Sequence, residues 1–229
     1  MEKISEAAQA IFAARCTRTP LGQLPAMVRP NTEAEAYRVQ EAVHERAAPA
    51  WGAVVGYKIG CTTPVMQQYL GIANPCAGGV FAQGVKQSGV TLAHSDYVRV
   101  GIECEIAVRL ERDLPASGVP FTAASVAQAV ASCMAAIEIV DDRYADWRQM
   151  DTPTLITDDF FAAGCVLGAP MGREAAPELA EVVGQTFING VERGRGRGSD
   201  VMGTLARHSR GWRTIWQAGA GRSKQARSC

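Results

Sequence analysis

Three glutamates lie inside apolar runs of this sequence that are typical of β-strands. Glu103 and Glu105 belong to the β-branched segment 98–108, and Glu138 lies within the apolar segment 135–140. Residues two apart on a strand share a face, so the side chains of Glu103 and Glu105 are expected to point the same way. An unpartnered carboxylate is costly to bury. A fold that contains these strands must therefore give the acids a shared counter-charge or turn them toward water.

A bound hard cation is the counter-charge that the surrounding sequence favours. No evenly matched Lys or Arg accompanies the three acids, and a set of oxygen ligands suits Mg²⁺ or Mn²⁺ better than Zn²⁺. For Glu103 and Glu105 alone, the simpler alternative is that both face solvent on an edge strand. The position of Glu138 shifts the interpretation toward a metal site.

Length and composition are those of an ordinary globular protein. With 229 residues, 47% hydrophobic and 20% charged, the chain can bury the core of one domain. The formal net charge is zero and no apolar run approaches membrane-spanning length, so neither nucleic acid nor a membrane is expected as a partner. Glu2 and Glu6 argue against a leader peptide. The seven cysteines lack metal or redox spacing, which predicts reduced thiols in a cytoplasmic protein.

Local patterns predict helices first and irregularly spaced strands afterwards, which favours an α+β fold over regular βαβ winding. Apolar spacing, and a capping-box pattern that begins at Thr32, predict two N-terminal helices. The predicted helices cover residues 3–15, 32–46, 63–70 and 122–133. The predicted strands cover residues 52–60, 98–108, 135–140 and 160–167. A hairpin is expected to turn at Asn189-Gly190.

Several motifs occur in an order that resembles one known family. The motifs are GYKIG (56–60), MQQYLG (66–71), ECEIA (103–107), EIVDDR (138–143), DW (146–147) and GRGSDVMG (196–203). Together they resemble the 2-keto-4-pentenoate hydratase and 4-oxalocrotonate decarboxylase family, within the fumarylacetoacetate hydrolase superfamily. The resemblance covers residues 1–203. It implies a mixed β-roll or barrel core of the superfamily's C-terminal-domain type, flanked by N-terminal helices.

The resemblance divides the chain into three regions. It implies a helical region at 1–50 and a metal-binding β-roll catalytic domain at 51–203 that lacks the family's last strands. The remaining segment, 204–229, carries six basic residues and no acid. Shifted by one base, a permissible back-translation of its start encodes HPRPALAWLANHLA, which resembles the helix that follows in the family. We therefore hypothesise a single-base deletion after the Gly203 codon, and expect the tail to be poorly ordered.

For the site, the resemblance implies one divalent metal, Mg²⁺ or Mn²⁺, held by Glu103, Glu105 and Glu138. Lys58 matches the family's active-site lysine, which would orient a substrate oxygen or relay a proton. Without the family, a strand-end lysine that reaches solvent is the simpler interpretation of Lys58. The implied substrates are 2-oxo or 2-hydroxydienoic acids from the meta-cleavage of aromatic compounds. The implied activity is that of a hydratase or decarboxylase, and the family's multimers leave a homo-oligomer open.

Two departures from the family pattern affect the expected chemistry. Cys76 stands where many hydratases of the family have an acid. We expect a buried, inert thiol there rather than a nucleophile, because no histidine lies close in sequence. The segment 156–161 also differs, so the substrate pocket is expected to differ. Two alternatives therefore stay open, namely a C–C hydrolase of the superfamily acting on acylpyruvates and an inactive truncated remnant.

Overall fold

Helices and strands are mixed along the described part of the chain, which confirms the predicted α+β class. The computed structural model describes residues 2–114 and 121–201, so the predicted tail at 204–229 lies outside the described residues. The helices are α1 (Glu2–Thr17), α2 (Glu33–Trp51), α3 (Pro64–Leu70), α4 (Ala123–Ala127) and α5 (Thr152–Thr157). The strands are β1 (Val54–Gly60), β2 (Cys76–Phe81), β3 (Val85–Gln87), β4 (Val100–Leu110), β5 (Val130–Asp141), β6 (Ala162–Leu167), β7 (Met171–Gly172), β8 (Val183–Ile188) and β9 (Val191–Arg197). Among these described helices, none is both long and apolar enough to cross a membrane.

An apolar seam joins the first two helices. Ala7 and Ile11 of α1 belong to the same buried cluster as Val39 and Val43 of α2. The spacing of four residues within each pair places both members on one face of their helix. The hydroxyl of Thr32 accepts a hydrogen bond from a backbone amide in the first turn of α2, as the capping pattern predicts. Both predicted N-terminal helices are thus confirmed, and each is slightly longer than expected.

Helix α2 also holds the backbone at the start of β2 and at the end of α5. The buried side chain of Gln40 donates hydrogen bonds to the carbonyls of Ala77, at 2.9 Å, and Ile156, at 2.7 Å. The hydroxyl of Tyr37 accepts a hydrogen bond from the amide of Ala77 at 3.0 Å. Because buried polar groups left unpaired are costly, these bonds fix the start of β2 and the end of α5 against one helix.

The central sheet follows the strand order β3–β6–β5–β4, and β7 also pairs with β5. Strand β6 runs parallel to β3 and antiparallel to β5, and Glu138 of β5 lies directly opposite Cys165 of β6. Strands β1 and β2 form a separate antiparallel pair, and β8 and β9 form a hairpin. In the described part of the chain, these sheets remain open and do not form a closed barrel.

Close packing groups the chain into two units. Within the described residues, the first consists of 2–60, 76–103 and 136–168, and the second of 61–75, 104–114, 121–135 and 169–201. The first unit contains α1, α2, α5 and the β1–β2 pair. The second contains α3, α4 and the β8–β9 hairpin, in which Asn189 and Gly190 have φ of 52° and 77°. Two successive positive φ angles are what a tight two-residue hairpin turn requires, so the predicted turn is confirmed.

One predicted helix ends early, and its last four residues belong to a strand in the structure. The alanine-rich segment 122–133 forms only the short helix α4 before β5 begins. Ser132 and Cys133, predicted to be helical, pair with β7. The prediction was wrong because strand pairing outweighs the helical preference of a few alanines.

Candidate metal centre

The structure brings the three predicted glutamates together on β4 and β5. One carboxylate oxygen from each of Glu103, Glu105 and Glu138 lies within 4.8 Å of the others. Glu103 and Glu105 share a face because they are two residues apart on β4, and β5 is the neighbouring strand. Glu103 is exposed, as the edge-strand alternative expects, whereas Glu138 is buried. The acids form one cluster, and their role as metal ligands stays a prediction.

Lys58 of β1 lies beside the most buried of these acids. Its Nζ is 3.1 Å from Oε1 of Glu138, and the two side chains are only 12% and 9% exposed. The same Nζ donates a hydrogen bond to the carbonyl of Phe160 at 2.8 Å. Lys58 is therefore not a lysine that reaches freely into solvent, although its role in a reaction stays a prediction.

Glu138 keeps an unsatisfied oxygen even with Lys58 close by. Among the described residues, its buried Oε1 has no hydrogen-bond partner. Lys58 is near enough for an ion pair with this oxygen, but its hydrogen bond is directed at the Phe160 carbonyl. Burial raises the pKa of Glu138, Lys58 opposes that increase, and Glu103 adds to it.

A divalent cation fits this set of donors. Three carboxylates converge where Glu138 is withdrawn from water, and a cation bound among them would be attracted by all three. A bound cation would give a direct ligand contact to Oε1 of Glu138, which accepts no hydrogen bond. All three donors are hard oxygen atoms, which Mg²⁺ and Mn²⁺ prefer.

The carbonyl that holds Lys58 belongs to a left-handed turn between α5 and β6. Asp159, Phe160 and Phe161 have φ of 56°, 47° and 68°. This conformation costs a residue other than glycine about 1–3 kcal/mol and persists only where the surrounding structure holds it. The predicted strand 160–167 is therefore wrong at its first two residues, and β6 begins at Ala162.

Buried polar partners hold the first residue of this turn. Oδ1 of Asp159 accepts hydrogen bonds from Nε2 of His44, at 2.7 Å, and from the amide of Gly79, at 2.8 Å. Oδ2 accepts a hydrogen bond from Arg15 at 2.9 Å. Burial alone would raise the pKa of Asp159, but His44, Arg15 and the Gly79 amide together keep it well below the ordinary value of 3.8. The carboxylate therefore stays ionised inside the protein.

The neighbouring Asp158 belongs to the same network. Its carboxylate accepts hydrogen bonds from Nε of Arg15, at 2.5 Å, and from Nε of Arg143, at 3.0 Å. Arg143 also donates to the carbonyls of Asp158, at 2.9 Å, and Ala162, at 3.1 Å. Charge-assisted hydrogen bonds of this kind compensate both members of a buried ion pair. Asp158 and Asp159 are thus neutralised by cationic side chains of the chain itself.

Two glycines of β2 allow this network to approach the backbone. A Cβ atom on Gly78 would lie 2.5 Å from the carbonyl oxygen of Asp159. A Cβ atom on Gly79 would lie 2.6 Å from Cε1 of His44. Both distances are too short for non-bonded heavy atoms, so a side chain at either position would displace the turn or the histidine.

Two cysteines lie close to these elements. Cys76, where the family pattern has an acid, is buried at the start of β2, as predicted. Cys165 lies directly opposite Glu138, and burial followed by the charge of Glu138 raises the pKa of its thiol. The sequence pattern gave no reason to single out Cys165, because cross-strand register is not visible in a local motif.

A cavity of about 580 Å³ opens on the other face of β5. Ile139 lines it and Glu138 does not, because successive strand residues point to opposite faces. Aromatic side chains of Trp51, Phe81 and Tyr97 contribute to its wall. This cavity is therefore separate from the carboxylate cluster.

Sequence patterns did not indicate the residues that hold Lys58 in place. Arg15, His44 and the Phe160 carbonyl all contact the predicted site or its supporting turn. The one available signal was the Asp158-Asp159 doublet next to an apolar segment, since two buried acids require cationic partners. The sequence does not say which cations those are.

Comparisons with known proteins agree with the motifs. Residues 82–208, more than half of the chain, match the family described as fumarylacetoacetate (FAA) hydrolase C-terminal. The 2-keto-4-pentenoate hydratase of Burkholderia vietnamiensis is 37% identical over 136 residues, which are 58% of this chain and 50% of that protein. The 2-keto-4-pentenoate hydratase of Paraburkholderia xenovorans is 32% identical over 164 residues, which are 72% of this chain and 60% of that protein.

A solved structure supports the same fold. The 4-oxalocrotonate decarboxylase from Pseudomonas putida G7, complexed with magnesium and adipate, superposes with a TM-score of 0.80 at 22% identity. The superposition covers 91% of this chain and 78% of that one. The chain spans about half the length of the first curated relatives that it matches. The family match over residues 82–208 shows that the chain belongs to the fumarylacetoacetate hydrolase family.

Proposed function

We propose that this protein is a divalent-metal-dependent lyase, a hydratase or a decarboxylase, that acts on 2-oxo or 2-hydroxydienoic acids from aromatic meta-cleavage. One observation carries the proposal. Glu138 is a buried carboxylate with an oxygen that accepts no hydrogen bond, and it clusters with two further carboxylates beside a lysine. The similarity to 2-keto-4-pentenoate hydratases supports the substrate class.

Glu103, Glu105 and Glu138 would hold the metal, and either Mg²⁺ or Mn²⁺ suits their oxygen donors. Glu138, withdrawn from water, would fix the position of the ion, while the more exposed Glu103 leaves one side open to a ligand. When bound, such a cation supplies Lewis-acid polarisation of a substrate oxygen. A structure complexed with magnesium among the similar folds is consistent with this assignment.

Lys58 would orient the substrate or move a proton. An ammonium group has three N–H donors. One is used by the Phe160 carbonyl, and the ion pair with Glu138 fixes the direction of the stem. The remaining donor capacity is available to a substrate oxygen at the edge of the carboxylate cluster, within reach of general acid–base catalysis.

The wider arrangement of the protein belongs to the same proposal. We assign residues 1–50 to a helical flank and residues 51–203 to a metal-binding catalytic domain of the β-roll type. Its partner is a small-molecule dienoate rather than nucleic acid or a membrane, and its location is the cytoplasm. A homo-oligomer stays open, as the family's multimers leave it.

The test is a UV assay that follows the loss of conjugated absorbance of a panel of 2-hydroxydienoates, with Mg²⁺, with Mn²⁺ and with EDTA. We expect turnover that requires the metal and is lost in Glu138→Gln. The matched control is Glu111→Gln, an exposed acid just beyond β4, which should leave turnover unchanged. Turnover that persists in EDTA or in Glu138→Gln would refute the site. Activity on acylpyruvates instead of dienoates would show the hydrolase, and a folded but inactive protein would show the remnant.

A further inference from the structure

The left-handed turn Asp159–Phe161 has a feature that the proposed chemistry does not by itself require. Its central carbonyl, that of Phe160, accepts the hydrogen bond of Lys58 at 2.8 Å. A carbonyl in a regular β6 strand would point into the sheet ladder instead, because strand carbonyls bond to neighbouring strands. The unusual backbone conformation therefore turns this oxygen toward the lysine.

The turn is held in this conformation by its first side chain. Asp159 is fully buried, and three partners from different parts of the chain converge on its carboxylate, namely His44, Gly79 and Arg15. Two of these partners come from the N-terminal helices α1 and α2. The turn is thus fixed from outside rather than by its own sequence, as strained backbone at functional sites requires.

The packing leaves the turn little freedom. The Asp159 backbone lies against Gly78, and the His44 ring lies against Gly79, both closely enough to exclude a Cβ atom. His44 also contacts the Phe81 ring edge-on, with centroids 5.4 Å apart. A movement of His44 would therefore be transmitted to Asp159, and from there to the Phe160 carbonyl.

We propose that Asp159 is a positioning residue, which acts with His44 to hold the Phe160 carbonyl where it anchors the ammonium group of Lys58. The proposal rests on the proposed function in one respect, namely that Lys58 serves the reaction. It concerns how Lys58 is placed, and it can be tested without substrate or metal.

The readout is the ¹H–¹⁵N correlation of the lysine Nζ group in metal-free protein. The chain has four lysines, Lys3, Lys58, Lys86 and Lys224, so loss of one signal in Lys58→Arg assigns it. Ammonium protons that are shielded and hydrogen-bonded exchange slowly with water, whereas those of an exposed lysine exchange too fast to be observed. A merely structural role of Asp159 would not change this signal in a protein that stays folded.

We expect the Lys58 signal in the wild type and its loss in Asp159→Gly. Glycine tolerates the left-handed conformation but removes the carboxylate. Asp159→Asn should retain the signal, because the amide oxygen can still accept hydrogen bonds from His44 and Gly79. The control Asp113→Gly, at an exposed aspartate, should match the wild type.

Two variants of His44 provide a second test of the proposal if Asp159→Gly does not fold. His44→Ala removes one holder of Asp159 and should lose the signal, whereas His44→Gln provides another N–H donor and should retain it. The proposal is overturned if the wild type shows no Lys58 signal, if folded Asp159→Gly or His44→Ala keeps it, or if Asp113→Gly loses it. Since no metal or substrate is present, these outcomes are independent of the lyase assay.

Discussion

Two clusters of acids in this protein differ in the partners that surround their buried carboxylates. Asp158 and Asp159 are matched by Arg15, Arg143 and His44, with several hydrogen bonds to each carboxylate. Glu138, by contrast, clusters with two further acids and has one ammonium group beside it. Burial of an acid therefore does not by itself indicate a ligand site. What distinguishes the second cluster is that its acids converge on one another and that the buried Glu138 keeps an oxygen without a hydrogen bond.

The largest loss of stability is expected when a cationic partner of the buried pair Asp158 and Asp159 is removed. Arg143→Ala removes the guanidinium that bonds Asp158 and two carbonyls. Because it leaves a buried charge without a partner, the free energy of unfolding should fall by about 3–5 kcal/mol in a urea titration. The control Lys3→Ala, which breaks a half-exposed pair with Glu35, should cost less than about 1 kcal/mol. Equal losses in the two variants would contradict the distinction.

The second effect concerns the affinity for Mn²⁺ of the carboxylate cluster formed by Glu103, Glu105 and Glu138. Glu138→Gln removes one of three charged donors, so Mn²⁺ binding in calorimetry should weaken at least about 100-fold, beyond the loss typical of outer-shell changes. In the metal-free protein the same change removes the carboxylate that pairs with Lys58 at 3.1 Å, so stability should fall as well, and the binding measurement needs a folded variant. Glu111→Gln is the control for binding. Undiminished affinity in Glu138→Gln would remove this glutamate from the ligand set.

The third effect is a difference in acid stability. The pKa of Asp159 is lower in the folded protein than its ordinary value of 3.8. Its stabilising contribution is therefore fully present above pH 3.8 and is lost as the pH falls toward the folded-state pKa. Asp159→Asn should lower stability by roughly 1–3 kcal/mol near neutral pH and flatten the decline below pH 4. Unfolding curves measured over this range, with Asp113→Asn as the control, would show parallel declines if Asp159 did not contribute.

The smallest effect on stability is expected at Glu103, where a role as metal ligand can be distinguished from a role in stability. Glu103 is exposed, so Glu103→Gln should change the stability of the metal-free protein by no more than about 0.5 kcal/mol. With Mn²⁺ in excess, however, the wild type should gain about 2.7 kcal/mol at 100 times its Kd, and the variant less. Thermal melting with and without Mn²⁺ measures both quantities. An equal gain in the two proteins would show that Glu103 is not a ligand.

Local patterns were sufficient for part of the fold and the site. The two-residue spacing of Glu103 and Glu105, and the apolar run around Glu138, correctly indicated acids that converge. The Asn189-Gly190 pair correctly indicated a tight turn, because positive φ is a local requirement. These features depend on residues a few positions apart, which a single sequence displays directly.

The remaining features depend on contacts between distant residues. The left-handed conformation of Phe160 follows from the anchoring of Asp159 by Arg15, which is 144 positions away in the chain. The strand conformation of Ser132 and Cys133 follows from their pairing with β7. Neither contact leaves a periodic signal in the sequence, so pattern analysis assigned both segments by their local preference alone.

The left-handed turn also constrains how this protein can evolve. Glycine at position 160 would relieve the backbone strain, but it would also delete a buried aromatic ring and leave a cavity, so selection for heat tolerance alone should keep a bulky side chain there. The same replacement would loosen the oxygen that holds Lys58 and remove the ring that lies 5.9 Å from its Nζ. Selection for stability and selection for turnover should therefore act in the same direction at position 160, so we expect this turn to change little during laboratory evolution.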